Sequence, residues 1–389
     1  MTQSIDRTTP RAWWILGLLS FTYLFSFIDR FAVSLLVEPI RMDLGLSDVQ
    51  LGALQGLAFA LFYAIAGLPL GRIADLHNRK YLIIGGLLIW SMATALSGLA
   101  QGFAALFLLR ALVGIGEASL TPSAVSMFGD VFAKRDVGRA IGVYTAGAIA
   151  GGGLALIIGG AVYSMLSNID PLVLPFVGEL SAWRATFIFL GAPGLLLALL
   201  ILLSVREPQR RGYVDIVSIS EVAKYIIANR STYGALFLLY VLSSGIGYAI
   251  TGWTPAYLAR ELGMDTAQAG FTFGMVMLVF GIGGPVAGGW FNDRLSRLGG
   301  SYGSIVSAAP FYGLVIVGAG LAYLQTDTRI VLFGLSLAAF GFTGSFAVPM
   351  TEIVRATPAR MRGVASALNL MIAALFGMSV GPLVVPLLS

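Results

Sequence analysis

Eleven stretches of this chain stay apolar for about twenty residues or more, and polar residues collect in short clusters between them. They run near 13–36, 50–70, 81–100, 104–126, 138–166 and 183–204, then 232–258, 268–290, 301–324, 329–350 and 362–387. About twenty helical residues cross the roughly 30 Å of bilayer hydrocarbon. No water there satisfies the backbone, so each stretch must be a helix that bonds itself. The pattern predicts an all-α membrane protein. Helix starts are marked by Ser47 with Gln50, Ser218 with Glu221 and Asp265 with Gln268, the spacing of a side chain that caps the third backbone N–H. Val222, Tyr225 and Ile226 share one face, which predicts a short amphipathic helix on the inner leaflet.

The polar clusters fix an orientation. Of the 24 Lys and Arg, 18 fall in segments on the side of the N-terminus, and only Arg41, Arg184, Arg260 and Arg329 fall on the other. Positive charge stays inside, so the N-terminus is expected in the cytoplasm. The remaining two, Arg30 and Arg110, lie within spans.

The chain also repeats itself. GLSDVQLG (45–52) aligns with GMDTAQAG (263–270) at an offset of 218 residues. The same offset carries Gly56 to Gly274, Phe62 to Phe280, Gly71 to Gly289, Asp75 to Asp293 and Arg79 to Arg297. Residues 132–144 likewise resemble 357–368. We expect an N-terminal helical bundle (1–204), a cytoplasmic linker (205–231) and a C-terminal bundle (232–389). Two parallel halves joined by one inner segment are a transporter plan, with the site between them at mid-membrane.

Composition narrows the chemistry. Only 11% of residues are charged, against about 25% in soluble domains, so the net charge of +5 reflects topology rather than nucleic-acid binding. With no Cys and a single His (His77, in a polar loop), a metal site, a disulfide or thiol chemistry is not expected. A membrane-embedded hydrolase would need a nucleophile with a base, or a metal set, and there is no Cys and no His within a span. No GxxxxGK[ST] phosphate loop occurs, which argues against an ATP-driven pump. No cofactor is expected, and the chain is not expected to be an enzyme.

The candidate chemistry lies in the buried charges. Asp29 and Arg30 are adjacent inside the first stretch. Each such charge costs about 2.5–3.5 kcal/mol near a span centre. At ~1.5 Å per residue, Asp29 sits about 24 Å from Trp13, a little outward of the midplane. Arg110 lies at a similar depth in the fourth stretch, and Glu117 is two turns further on the same face, near the midplane. The four groups are expected to share one cavity of zero formal charge. The alternatives are that Asp29 and Arg30 merely neutralise each other, or that Arg110 and Glu117 merely lock the fourth helix to the first. The second half has no equivalent, since Gly247 and Tyr248 stand at the matching positions. Tyr248, Trp253 and Asn369 are its candidate polar contacts to substrate.

GRIADLHNRK (71–80) resembles the major facilitator loop motif GxxxDRxGRR/K, RALVGIGEASLTP (110–122) its fourth-helix motif RxxxGxGEA, and GWFNDRLSR (289–297) the second-half echo. FIDRFAV in the first helix together with GIGEAS in the fourth resembles the spinster branch, the lysolipid and sphingosine-phosphate transporters. Leu76 and Asn78 depart from the loop motif, and the Gly-rich fifth stretch lacks the antiporter Gly-Pro.

The resemblance implies two pseudo-symmetric six-helix bundles, so a twelfth span is expected beyond the eleven visible ones. It implies a cytoplasmic gate formed by Gly71, Asp75, Arg79 and Arg139, with Asp75 paired to Arg139 and Asp293 as the echo. It further implies a secondary transporter, proton-coupled, moving a lipid-like anionic or zwitterionic substrate. In that reading Asp29 and Glu117 carry protons, ionised Asp29 holds Arg30 or Arg110, and Arg30, Arg110 and Glu117 meet the substrate. A proton-coupled sugar-acid transporter and a transport-inactive sensor are the alternatives. A monomer in a bacterial inner membrane is expected.

Overall fold

The computed structural model describes residues 8–133, 135–174, 178–210 and 218–388, with side chains at 149, 174, 219, 296–305 and 359 outside the description. Residues 211–217 of the expected linker and the side chain of repeat position Arg297 therefore lie outside the described part.

All eleven expected spans are helical. They are α1 (Pro10–Leu35), α2 (Asp48–Leu76), α3 (Arg79–Ser97), α4 (Phe103–Val131), α5 (Val137–Ser167) and α6 (Ala182–Ser204). After them come α7 (Arg230–Leu262), α8 (Thr266–Leu295), α9 (Ala309–Tyr323), α10 (Thr328–Ala356) and α11 (Arg362–Leu388). The ninth begins at Ala309, later than the apolar pattern suggests, because the helix of α8 continues without a break to Val306. No proline stops that continuation until Pro310 opens α9, where its missing N–H costs nothing. A two-stranded hairpin, β1 (Leu172–Leu174) with β2 (Gly178–Leu180), lies between α5 and α6 and has no counterpart in the apolar pattern.

Local chemistry explains the helix starts. Ser47 and Gln50 form the full reciprocal cap, while Asp265 accepts from the Gln268 N–H. The repeat also appears in the backbone. Gly45 and Gly263, 218 residues apart, both end a helix in the left-handed region, at φ 60° and 63°, where a side chain would be strained.

Within the first half α1 packs on α5 and α2 on α4. In the second, α10 packs on α8 and α9. The halves meet along α2 with α11 and α5 with α8. Gly153 and Gly274 set that second seam. A Cβ on either would stand 2.7 Å from the other's carbonyl oxygen, so the two backbones touch directly.

Polar links between the halves lie near mid-span or at the end opposite the Lys- and Arg-rich loops. There Arg260, closing α7, holds Asp48 through two hydrogen bonds of 2.7 and 2.8 Å and also pairs with Glu38. At the basic end, among the described residues, no side-chain hydrogen bond or ion pair joins one half to the other.

The expected amphipathic helix exists as Ile219–Ala228, capped by Ser218. Its apolar face does not rest on lipid, which corrects the sequence expectation. Val222 is fully buried against Leu236, Ile353, Met361 and Ala365. Tyr225 donates to the Ala356 carbonyl at 3.1 Å, and Glu221 pairs with Arg360 at 2.8 Å. A three-residue apolar face finds a surface of its own size where α7, α10 and α11 end.

Candidate functional site

Successive residues on a helix point about 100° apart, and this separates the two charges of α1. Arg30 points into the seam between the halves, where its Nη2 pairs with Glu117 Oε2 of α4 at 2.5 Å. Its Nη1 donates to the Tyr248 hydroxyl of α7 at 3.2 Å. The guanidinium carbon lies 4.6 Å from the ring centres of both Phe27 and Phe59 and 5.6 Å from that of Tyr63. Aromatic faces carry negative charge and attract a desolvated cation, so the cage lowers the cost of keeping Arg30 at 8% exposure.

Asp29 is wholly buried and points elsewhere. Neither carboxylate oxygen has a hydrogen-bond partner. The Trp90 indole N–H and the Thr94 hydroxyl of α3 are the donors nearest to it, and neither makes a hydrogen bond of ordinary geometry. The expectation that Asp29 holds Arg30 or Arg110 is therefore corrected, and so is the alternative in which Asp29 and Arg30 neutralise each other. Glu117 is the partner of Arg30. Arg110 is also wholly buried and donates to two backbone carbonyls of α1, that of Asp29 at 2.9 Å and that of Arg30 at 3.2 Å. Arg110 thus fixes the stretch of α1 that carries both charges.

Of the other candidates, Tyr248 reaches the centre and Trp253 does not. The Trp253 indole donates to the Pro382 carbonyl at 2.8 Å, so its one donor is committed within the second half. Asn369 is buried in α11 with both polar atoms unpartnered.

The basic end differs from expectation. Asp75 and Arg139 are exposed and do not pair. Arg139 faces the Trp13 ring at 5.2 Å from the first turn of α5. The C-terminal carbonyls of α2, at Ala74, Asp75 and His77, instead receive Arg210. Arg79 is buried rather than loop-exposed, paired with Asp130 at 2.5 Å and Glu207 at 2.7 Å. Gly71 has only an ordinary contact, 4.0 Å, at the place of a Cβ. In the second half Asp293 pairs with Arg355 at 2.5 Å, and Arg355 also holds Glu352 at 2.8 Å.

Sequence reasoning missed Glu207, Arg210 and Arg260, whose partners are remote in the chain. It also missed the Phe27, Phe59 and Tyr63 cage and Gln55 of α2, a polar residue inside an apolar run that is the one signal available beforehand. Among the described residues no group of His, Asp and Glu is arranged to hold a metal.

Among the described residues, ten long apolar helices and a shorter eleventh, in two halves with an ion pair at their seam, define a membrane transporter of the two-lobed kind. The chain belongs to the Major Facilitator Superfamily, whose model matches residues 19–382. It is 30% identical over 391 residues to an MFS-type efflux pump of Mycolicibacterium smegmatis, covering 100% of this chain and 87% of that one. It is 27% identical to a probable L-galactonate transporter of Escherichia coli, over 84% and 73% of the two chains. A solved bacterial homolog of the human lysosomal transporter spinster, inward-facing and occupied, superposes with a TM-score of 0.85 at 30% identity, over 98% of this chain and 82% of that one. The spinster resemblance and the facilitator fold hold, and the family is one of transporters, not enzymes.

Proposed function

We propose that this chain carries an anionic, amphipathic solute across the membrane by alternating access, driven by protons. The observation that carries the reading is Arg30, shared between Glu117 of its own half and Tyr248 of the other. Burial disfavours an ionised carboxyl and a neighbouring guanidinium favours it. Moving the halves changes both influences. Protonation of Glu117 frees Nη2 of Arg30 for a carboxylate or phosphate, a charge-assisted bond of high strength. Asp29 is the second proton carrier, held at its depth by Arg110 through the α1 backbone. Phe27, Phe59 and Tyr63 offer the apolar part of the solute a wall beside the charge.

In this reading residues 1–204 and 232–389 rock against each other about the seam, with 205–231 as linker. The basic end faces the cytoplasm of a bacterial inner-membrane monomer, so the arrangement described above is inward-open. Its likeness to an inward-facing relative supports this.

Proteoliposomes with an imposed pH gradient test the reading. Asp29→Asn and Glu117→Gln should each remove gradient-driven uptake of a lysolipid while the protein stays folded. Undiminished gradient-driven uptake in both would overturn it. A second reading, a small organic anion such as a sugar acid, draws on the relative named as a probable L-galactonate transporter. Uptake of sugar acids without lysolipid would favour it.

A further inference from the structure

A second polar group borders Arg30 on the side away from the basic end. Ser34 lies one turn beyond Arg30 in α1, Thr251 lies near Tyr248 one turn on in α7, and Gln55 comes from two turns into α2. With Phe31 and Pro382 they line a narrow cleft between the halves, too tight in this arrangement to admit a water molecule. Gln55 is 5% exposed. Its Oε1 accepts from the Ser34 hydroxyl at 3.4 Å and rests on Gly252, whose missing side chain leaves it room. Its Nε2 has no partner, and neither has Arg30 Nε or Glu117 Oε1.

A buried amide without a partner forfeits its bonds to water, a penalty an apolar side chain of the same size avoids. Gln55 is therefore a poor choice for sealing a seam and a good one for reading an oxygen atom. The Thr251 hydroxyl gives its proton to the Gly247 carbonyl, which leaves its oxygen as an acceptor in the same cleft. Donor and acceptor next to a guanidinium match an anion that carries hydroxyl groups close to its charge.

We propose that Gln55, with Ser34 and Thr251, forms a subsite that hydrogen-bonds the hydroxyl groups of a solute whose carboxylate or phosphate is held by Arg30. This rests on the reading of Arg30 as the anion site. The chemical class is a polyhydroxylated anion, common to sugar acids and to lysolipids with a glycerol headgroup. Ser34 and Gln55 belong to one half and Thr251 and Pro382 to the other, so the cleft widens when that end of the seam parts. A hydroxyl-reading site discriminates strongly because an analogue lacking the hydroxyl leaves the buried groups unpaired.

The test uses two matched pairs of probes with the purified full chain in proteoliposomes. One pair is gluconate and hexanoate, and the other is lysophosphatidylglycerol and dodecyl phosphate. Affinity is read as KM for uptake and as competition against the better probe. The parent should prefer the hydroxylated member of at least one pair, which also tells the two sources apart. Gln55→Leu should shrink that preference about tenfold, the value of one buried neutral hydrogen bond. Gln55→Met should do the same and serves if the leucine variant fails to fold. An unchanged preference ratio, or an equal loss for both members, overturns the subsite. Arg30→Gln should abolish binding of both members. If it does not, the anion-site reading fails, whatever the ratio in the Gln55 variants. Binding of none of the four probes overturns both.

Discussion

Among the described residues, Arg260 bonds two carboxylates of the other half, and replacing it by glutamine should release one end of the protein. Its side chain is 30% exposed, and those of its partners Glu38 and Asp48 are 19% and 34% exposed. Exposed pairs contribute about 0.2–1 kcal/mol each. Two-pronged bonding to Asp48 and partial shielding put this cluster near the upper end, so two partners together hold the end shut by about 1–2 kcal/mol. That corresponds to a population change of about 5–30-fold. The chain has no cysteine, so spin labels can be attached at Met42→Cys and Leu324→Cys without background. Both positions are highly exposed, one in each half at this end. Pulsed electron–electron resonance in nanodiscs should show the longer-distance population rise in Arg260→Gln. The parent should respond in the same direction to 0.5 M salt, which screens exposed charges. Identical distance distributions in parent and variant, at low and high salt, would refute the reasoning.

Arg79→Ala should cost about 3 kcal/mol, because it removes a buried guanidinium that joins Asp130 to Glu207. Thermal unfolding in detergent reads this loss, and Arg79→Lys should recover only part of it. Gly274→Val should push α8 off α5, since its Cβ has no space against the Gly153 carbonyl. A lowered melting temperature, with no such change in Gly289→Val, where the surroundings are open, would agree. Tyr248→Phe removes the hydroxyl that receives Arg30 and should raise the substrate KM about fivefold, one modest hydrogen bond. No change in KM would remove Tyr248 from the site.

The parts of the fold that depend on local chemistry were legible in the sequence. Span positions follow from runs of apolar residues, and the Ser47 cap from a three-residue spacing. What escaped depended on rotation or distance. The direction of Asp29 turns on the angular phase of α1, which hydrophobicity alone does not report, since the whole helix face is apolar. The partners of Arg79 include Glu207, 128 residues away. The Asp75–Arg139 pair failed because one side chain sits on the solvent face of α2 and the other turns to Trp13. The helix over 219–228 was readable, but the surface it covers is assembled from three other segments.

Tyr248 occupies the place where a duplicate of Arg30 would stand, 218 residues on. A second arginine at this place would bring two guanidiniums face to face across the seam. Like charges in so dry a location repel severely. A phenol avoids that clash and gives Arg30 a neutral acceptor. Unlike residues at these matched positions are then a requirement of the chemistry at the seam, and Tyr248→Arg should drive the lobes apart.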